Sequence, residues 1–493
     1  MGTLWILAGA ADNQVLMASA ELGLLPALVD VVKQDNCAAR VNALATLWNL
    51  AEVADNQVQM TSAELGLLHA LVDVVREDKG EARVNALATL WNLAGAADNQ
   101  VLMTSAELGL LPALVDVVRE DKGAARIKSL GTLQDLSQKN ENKTTMATSA
   151  VLGLLSVLVE TVREDNGEAR VSALGILANL AAADKNQIML ATSADLSLLP
   201  VLVDVVRQDR GDGRVNALAA LAHLSIAWGN KVPMMTSSDL SLFPLLVEVV
   251  TEDQGQARVV ALGTLGNLSA AWENKVAMAT SDLHLLRVLV DIVREDQGDA
   301  RIQALGTLWN LAVAAENKVV MAASAELGLL PLLVDVVKED KALARVQALG
   351  TLHCLSNAVE NQVLMATSTE LGLMPVLVQV INEDSGEARV NALGTLWGLT
   401  LASGFQFPMA TCNELGLLPL LANVAREDKG EARGRAIGII WELRKVASLE
   451  VDAACKDLDL CALALEALAD GDFRAKRAGA EALSNAPKSI DLV

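Results

Sequence analysis

The chain has 493 residues, 52% of them hydrophobic, with eight Trp, four Phe, no Tyr and a formal net charge of −22. That acidity disfavours direct binding to a phosphate backbone and favours solubility. An Asp or Glu interrupts each apolar run before it reaches the ~18–20 residues of a membrane span.

Met1-Gly-Thr-Leu-Trp-Ile-Leu-Ala8 lacks a basic leader, and Ile6 stands where a myristoylation motif needs Ser or Thr. Leu4 to Ala8 match the final turns of a helix that recurs later, so the array is expected to begin in mid-helix, as a truncated or decayed first copy would. The five cysteines, Cys37, Cys354, Cys412, Cys455 and Cys461, are odd in number and show no metal-ligand spacing. They point to a reducing compartment, cytoplasmic or nuclear.

The dominant signal is an arginine recurring at Arg40, Arg83, Arg126, Arg170, Arg214, Arg258, Arg301, Arg345, Arg389 and Arg433, in steps of 43 or 44 residues. Such a period marks a stacked repeat protein, which grows in one dimension without dividing its core. About ten repeats fill residues 1–448, and residues 449–493 form a degenerate final repeat, with Arg474 to Ala486 as a worn last helix capping the array.

The unit from Asp55 to Ala94 contains three helical stretches. The first runs from about Asn56 to Met60, and its Asn column (Asn13, Asn56, Asn99, Asn142, Asn186, Asn230, Asn274, Asn317, Asn361) suits an N-cap. Its methionine column, Met60 and Met103 through Met189 to Met409, reads as a gap-filling core seam. Glu64-Leu-Gly66 makes the turn into a second helix from Leu67 to about Arg76, whose first turn carries proline in seven of ten units, as at Pro112. His69 occupies that proline column. Acids such as Asp116, Asp204 and Asp291 stand three residues before Lys or Arg, in i,i+3 surface pairs; where the acid becomes Gln379, its partner becomes Asn382.

The third helix is led by Asp78-Lys-Gly-Glu81, which has the form of a capping box. An aspartate heads all ten units, from Asp35 through Asp78 and Asp121 to Asp428. At 100° per residue, Val84, Leu87, Leu90 and Leu93 take the buried side, and Asn85, Ala88, Thr89 and Asn92 the exposed one, with Trp91 at the border. That polar, aromatic-edged stripe is the surface repeated often enough to bind something.

Asn-Gln-Val…Leu-Gly-Leu-Leu-Pro-Ala-Leu-Val, followed by Ala-Leu-Ala-Thr-Leu-Trp-Asn-Leu-Ala, resembles an armadillo repeat. The helix 1–2 segment is about three residues longer than the usual family form. The resemblance implies an all-α, right-handed superhelical solenoid of three-helix armadillo-like repeats, whose third helices line a concave groove. In family members that bind extended peptides, an Asn on the third helix bonds the peptide backbone, and a Trp four residues before it packs on the peptide's side chains. Here the Asn place holds Asn49, Asn92, Asn179, Asn267 and Asn310, and departs as Asp135, His223, Cys354, Gly398 and Glu442. The family's Trp place holds Ala or Gly, as at Ala88 and Gly131, and Trp48, Trp91, Trp309, Trp397 and Trp441 stand directly before the Asn column instead. A groove floored by such small residues would admit a bulkier partner, such as a helix.

The tenth unit replaces the Asn-led start with Phe405-Gln-Phe-Pro408. The four histidines, His69, His223, His284 and His353, fall in unrelated columns, and no nucleophile elbow, phosphate loop, dinucleotide fingerprint or zinc-protease motif appears. Neither enzyme, metal nor cofactor is expected. The expected function is a protein-protein interaction scaffold that takes a protein or peptide segment in the concave groove on Asn49, Asn92, Asn179, His223, Asn267, Asn310, Asn85, Thr89, Trp48, Trp91 and Trp309. Two alternatives stand beside it: a nuclear-import cargo adaptor, and a structural protein associating end to end.

Overall fold

A computed structural model of the chain describes residues 2–34, 38–402 and 404–469, with 476, 477, 480 and 484. Asp35, Cys37 and most of Arg474 to Ala486 lie outside the described residues. Among the described residues there are thirty-three α-helices, two 3-10 turns and no strand. The chain forms two compact units, residues 1–245 and 246–493. Each is an all-α solenoid of three-helix repeats.

In the repeat after the first, the helices are Ala54–Met60, Leu67–Glu77 and Glu81–Ala94. Gly66 enters the second helix at φ +62°, a left-handed conformation that costs glycine nothing. Ser197, Ser241 and His284 hold the same place with φ of 46°, 46° and 53°, so His284 is a turn residue. Leu67, Leu71, Val72, Val74 and Val75 of the second helix pack on Ala86, Leu87, Leu90 and Leu93 of the third, all essentially inaccessible. Each aliphatic side chain buried this way contributes about 1.5–3 kcal/mol. Val84, expected inside, is only half-buried and shares an edge with Trp91.

Two of the recurring columns tie repeat to repeat, and both correct the capping roles expected of them. Asn56 lies inside its helix, 2% exposed, and is no N-cap. Its Nδ2 donates to Leu50 O at 2.8 Å, at the end of the preceding third helix, and to Gln14 O at 3.2 Å, in the first helix one repeat back. Asn99 repeats this on Leu93 O and Gln57 O, and Asn142 on Leu136 O and Gln100 O. In the second unit Asn317 does so on Leu311 O and Lys275 O, and Asn361 on Leu355 O and Lys318 O. Unpaired buried carbonyls are costly, and this column removes one at the end of each third helix named here.

The aspartates do not form capping boxes. Gly80 precedes the third helix, with no side-chain cap, while Asp78 closes the second helix in extended backbone. Its carboxylate receives Arg40 of the repeat before at 2.9 Å. The same pairing joins Arg83 to Asp121 at 2.7 Å, Arg126 to Asp165, and Arg170 to Asp209 at 3.1 Å. It recurs as Arg258–Asp296, Arg301–Asp340, Arg345–Asp384 and Arg389–Asp428 at 2.7–3.0 Å. Arg83 Nε also donates to Asp78 O at 2.6 Å, so one guanidinium bridges two successive turns.

The methionine column is core, with Met60, Met103, Met234, Met278 and Met321 fully buried. One member was misplaced. Leu190 stands four residues after Asn186 and is buried, whereas Met189 is half-buried beside it. The exposed i,i+3 pairs of the second helix are present at Asp116–Arg119, Asp204–Arg207, Asp291–Arg294 and Asp335–Lys338. Gln379 instead donates to Glu383, one turn on, and not to Asn382.

Candidate functional site

The third helices, Ala38–Ala51, Glu81–Ala94, Ala124–Leu136, Glu168–Ala181 and Asp212–Leu224 in the first unit, stack directly on one another. The stripe expected to be exposed on them is partly closed. Asn85 is 6% exposed and Thr89 fully buried, which corrects their placement on an open face. Thr89 Oγ1 donates back to Asn85 O at 2.8 Å, and Asn85 Nδ2 reaches Val41 O of the neighbouring third helix at 3.5 Å. Close packing of small residues between adjacent third helices leaves these two no outlet.

The third-helix asparagines Asn49, Asn92, Asn179, Asn267 and Asn310 are half-buried. Asn49 Nδ2 donates to Trp5 O at 3.3 Å, Asn92 to Trp48 O at 3.4 Å and Asn179 to Gln134 O at 3.4 Å. Asn179 and Asn310 also reach the hydroxyls of Ser137 and Ser269, and Asn310 reaches Gly266 O at 3.1 Å. These donors bind the preceding third helix. His223, in the same column, is half-buried, and burial, then the charge of Lys143, lowers its pKa.

The tryptophans fill the space that the small column seemed to leave open. A Cβ on Gly131 would lie 2.6 Å from the indole of Trp91, and one on Gly438 would lie 2.7 Å from Trp397. Gly350 stands in the same relation to Trp309. At these three junctions the indole lies over the glycine of the next third helix, which corrects the expectation of a floor open to a bulky partner there. The Trp91 indole also bonds Asp135, whose pKa burial raises and this bond lowers. Trp309 bonds Cys354 likewise. Trp48, Trp91, Trp309 and Trp397 remain half-exposed, whereas Trp441 is buried.

A cation sits on this ladder. Lys128, in the column of Asn85 one repeat later, places Nζ 4.3 Å from the centroid of Trp91 and 6.0 Å from that of Trp48. The quadrupole of each indole attracts the ammonium, most strongly where it is partly desolvated. In the second unit His353 takes the tryptophan place, and Arg435, from a later third helix, donates toward its Nε2 at 3.1 Å while also bonding Glu431. Lys128 and Arg435 escaped sequence reasoning, and so did the contact of Gly131 with Trp91, because each matters through a residue about 40 or 80 positions away.

Burial, then the charges of Arg435 and Lys318, pushes the pKa of His353 down to about 3. The unfolded chain binds this proton near pH 6.5 and the folded chain does not, so the stabilisation is complete above about 6.5 and is lost as pH falls toward 3. Urea unfolding of the chain and of His353→Gln is expected to diverge between pH 7 and 4.5, the wild type losing up to about 1.4 kcal/mol more per pH unit. Parallel curves would contradict the assignment. Burial raises the pKa of Cys354, against the bond from Trp309 and the charges of Lys318, Lys275 and Arg435, so it remains a thiol at neutral pH.

Among the described residues no group of His, Cys, Asp and Glu has the arrangement of a metal site, and no helix is long and apolar enough to cross a membrane. No family model matches the chain, and no curated protein matches its sequence. Its likeness is to solved structures. An engineered protein superposes with a TM-score of 0.71 at 17% identity, over 85% of this chain and 98% of that one. A chain from a study of a phosphorylation switch controlling the interaction between cadherin and beta-catenin gives a TM-score of 0.67 at 17% identity, over 98% of each chain. The chain is thus similar in fold, as a helical repeat array, to proteins whose sequences share little with it.

Proposed function

We propose that the chain is a non-catalytic scaffold that holds a protein or peptide segment along the third-helix face of its repeats. The observation that carries this is Lys128 over Trp48 and Trp91. The half-exposed indoles form a surface that accepts a long cationic side chain, and here it is one of the chain's own. Aromatic surface of this kind supplies apolar contact to a partner as well. Asn92 and Asn310 have their Nδ2 groups engaged with the preceding helix, so their amide oxygens are the atoms left to take a partner's N–H. One of the structurally similar chains belongs to a study of a protein–protein interaction, which accords with this use of the fold.

A catalytic role gains no support from the one adjacent His–Cys pair. His353 and Cys354 are sequential on a helix and do not face each other, and the cysteine is held as a thiol. The import-adaptor alternative is weakened by the displaced Trp column and the engaged Asn donors. Panning a displayed random-peptide library on the full chain tests the proposal. Selected peptides are expected to lose about tenfold or more in affinity against Trp48→Ala/Trp91→Ala, with circular dichroism unchanged. Binders indifferent to that change would overturn the site. Selection of Lys/Arg-rich peptides alone would favour the import reading, and association of the chain with itself in light scattering would favour the structural one.

A further inference from the structure

The first helices carry an apolar ridge that neither the core nor the third-helix face uses. In the first three repeats these helices are Ala11–Ala18, Ala54–Met60 and Asn99–Met103. They are tied in sequence by the bonds from Asn56 to Gln14 O and from Asn99 to Gln57 O. Their inner sides carry the clamp asparagines and methionines. Their outer sides present Val15, Leu16, Val58, Val101 and Leu102, each 47–63% exposed. Single exposed aliphatics are ordinary on a protein surface; five in register on three successive helices form a patch.

Charge on this ridge has one sign. Asp12, Asp55 and Asp98 are exposed and stand three residues before Val15, Val58 and Val101, on the same helical face. Exposed Glu21, Glu64 and Glu107 follow each helix in the next turn. Of the nearby bases, Arg76 is directed to Gly109 O at the turn and Lys33 lies beside Gly66. In the fourth repeat the valine place becomes Thr144, so the ridge is three helices long.

Helices packed side by side lie ~10 Å apart. Seven residues of an α-helix rise about 10.5 Å. A helix laid across the stack therefore sets residues i, i+7 and i+14 over the three valine positions. We infer that this ridge docks an amphipathic helix of a partner protein, with apolar residues at heptad spacing and Lys or Arg beside them to meet Asp12, Asp55 and Asp98. A second copy of this chain fits poorly, because the exposed faces of its own second helices carry acids such as Asp73 and Asp116.

The test uses the full chain and a labelled synthetic helix of about three heptads, with Leu at the repeating position and Lys flanking it. Fluorescence anisotropy is expected to show saturable binding that weakens with added salt and drops about tenfold or more against Val58→Asp/Val101→Asp. The milder Val58→Ser/Val101→Ser is expected to fall between, and far-UV circular dichroism checks that both variants are folded. A peptide with Glu for Lys is expected not to bind, and Trp48→Ala/Trp91→Ala to leave binding intact. The inference is overturned if the peptide does not bind saturably, or binds both valine variants like the wild type. It is also overturned if sedimentation shows that the valine changes dissolve a dimer of the chain.

Discussion

Asn99→Leu is expected to destabilise the first unit by about 3 kcal/mol or more, although leucine fits the volume and the chain's composition. The amide at Asn99 is 2% exposed and serves three neighbours. It donates to Leu93 O at 2.9 Å and Gln57 O at 3.1 Å, and its oxygen accepts from Thr61 Oγ1 at 2.7 Å. Leucine leaves these groups buried without this partner, at about 1–3 kcal/mol for each one that finds no other. The damage falls between repeats, so the form of unfolding should change as well as its midpoint. In an array whose stability is a sum of repeat and nearest-neighbour terms, weakening one junction splits a cooperative transition. Urea unfolding followed by circular dichroism should become broader or biphasic. A single transition at the wild-type midpoint would show that the clamp contributes nothing.

The arginine ladder predicts an asymmetry. Arg83 has a side chain 5% exposed, whereas that of Asp121 is 31% exposed. Asp121→Leu strands a buried guanidinium, and removing one partner of a buried pair costs about 3–5 kcal/mol. Solvent at the aspartate end places the expected loss near the lower limit, about 3 kcal/mol. Arg83→Leu leaves a carboxylate that can turn to water, and should cost less. The double change Arg83→Leu/Asp121→Leu should recover part of the loss, since apolar pairs of similar volume often replace buried ion pairs without penalty. A double-mutant cycle in urea measures all three. Equal losses for the two single changes would mean that the charges are not what joins these turns.

The period, the three helices and the Gly66 turn were readable because each depends on residues within a few positions of one another. The roles of Asn56 and Asp78 were not, for a specific reason. Asn and Asp at helix boundaries satisfy orphan backbone groups whether they cap their own helix or reach into a neighbour, so residue type alone does not separate the two. The separating signal lay in pairing at long range. Arg83 and Asp121 both recur in every unit and meet 38 residues apart, and Trp91, Trp309 and Trp397 are each followed in the next repeat by Gly131, Gly350 and Gly438. The buried state of Asn85 and Thr89 was hidden because helical periodicity describes one helix against one core, while a third helix here also packs against copies of itself.

The two ladders run in opposite senses, and that gives the junction a polarity. Arg83 reaches forward to Asp121, while Asn99 reaches back to Gln57 O. Each repeat thus offers donors and acceptors on complementary rather than identical faces, a heterologous joint of the kind that propagates without closing. Inserting one whole copy of the unit keeps every arginine opposite an aspartate and every asparagine opposite a carbonyl. Insertion of half a unit breaks both sets. Lengthening by complete duplications therefore preserves both ladders, and the close similarity of residues 44–90 and 87–133 is what such growth leaves behind.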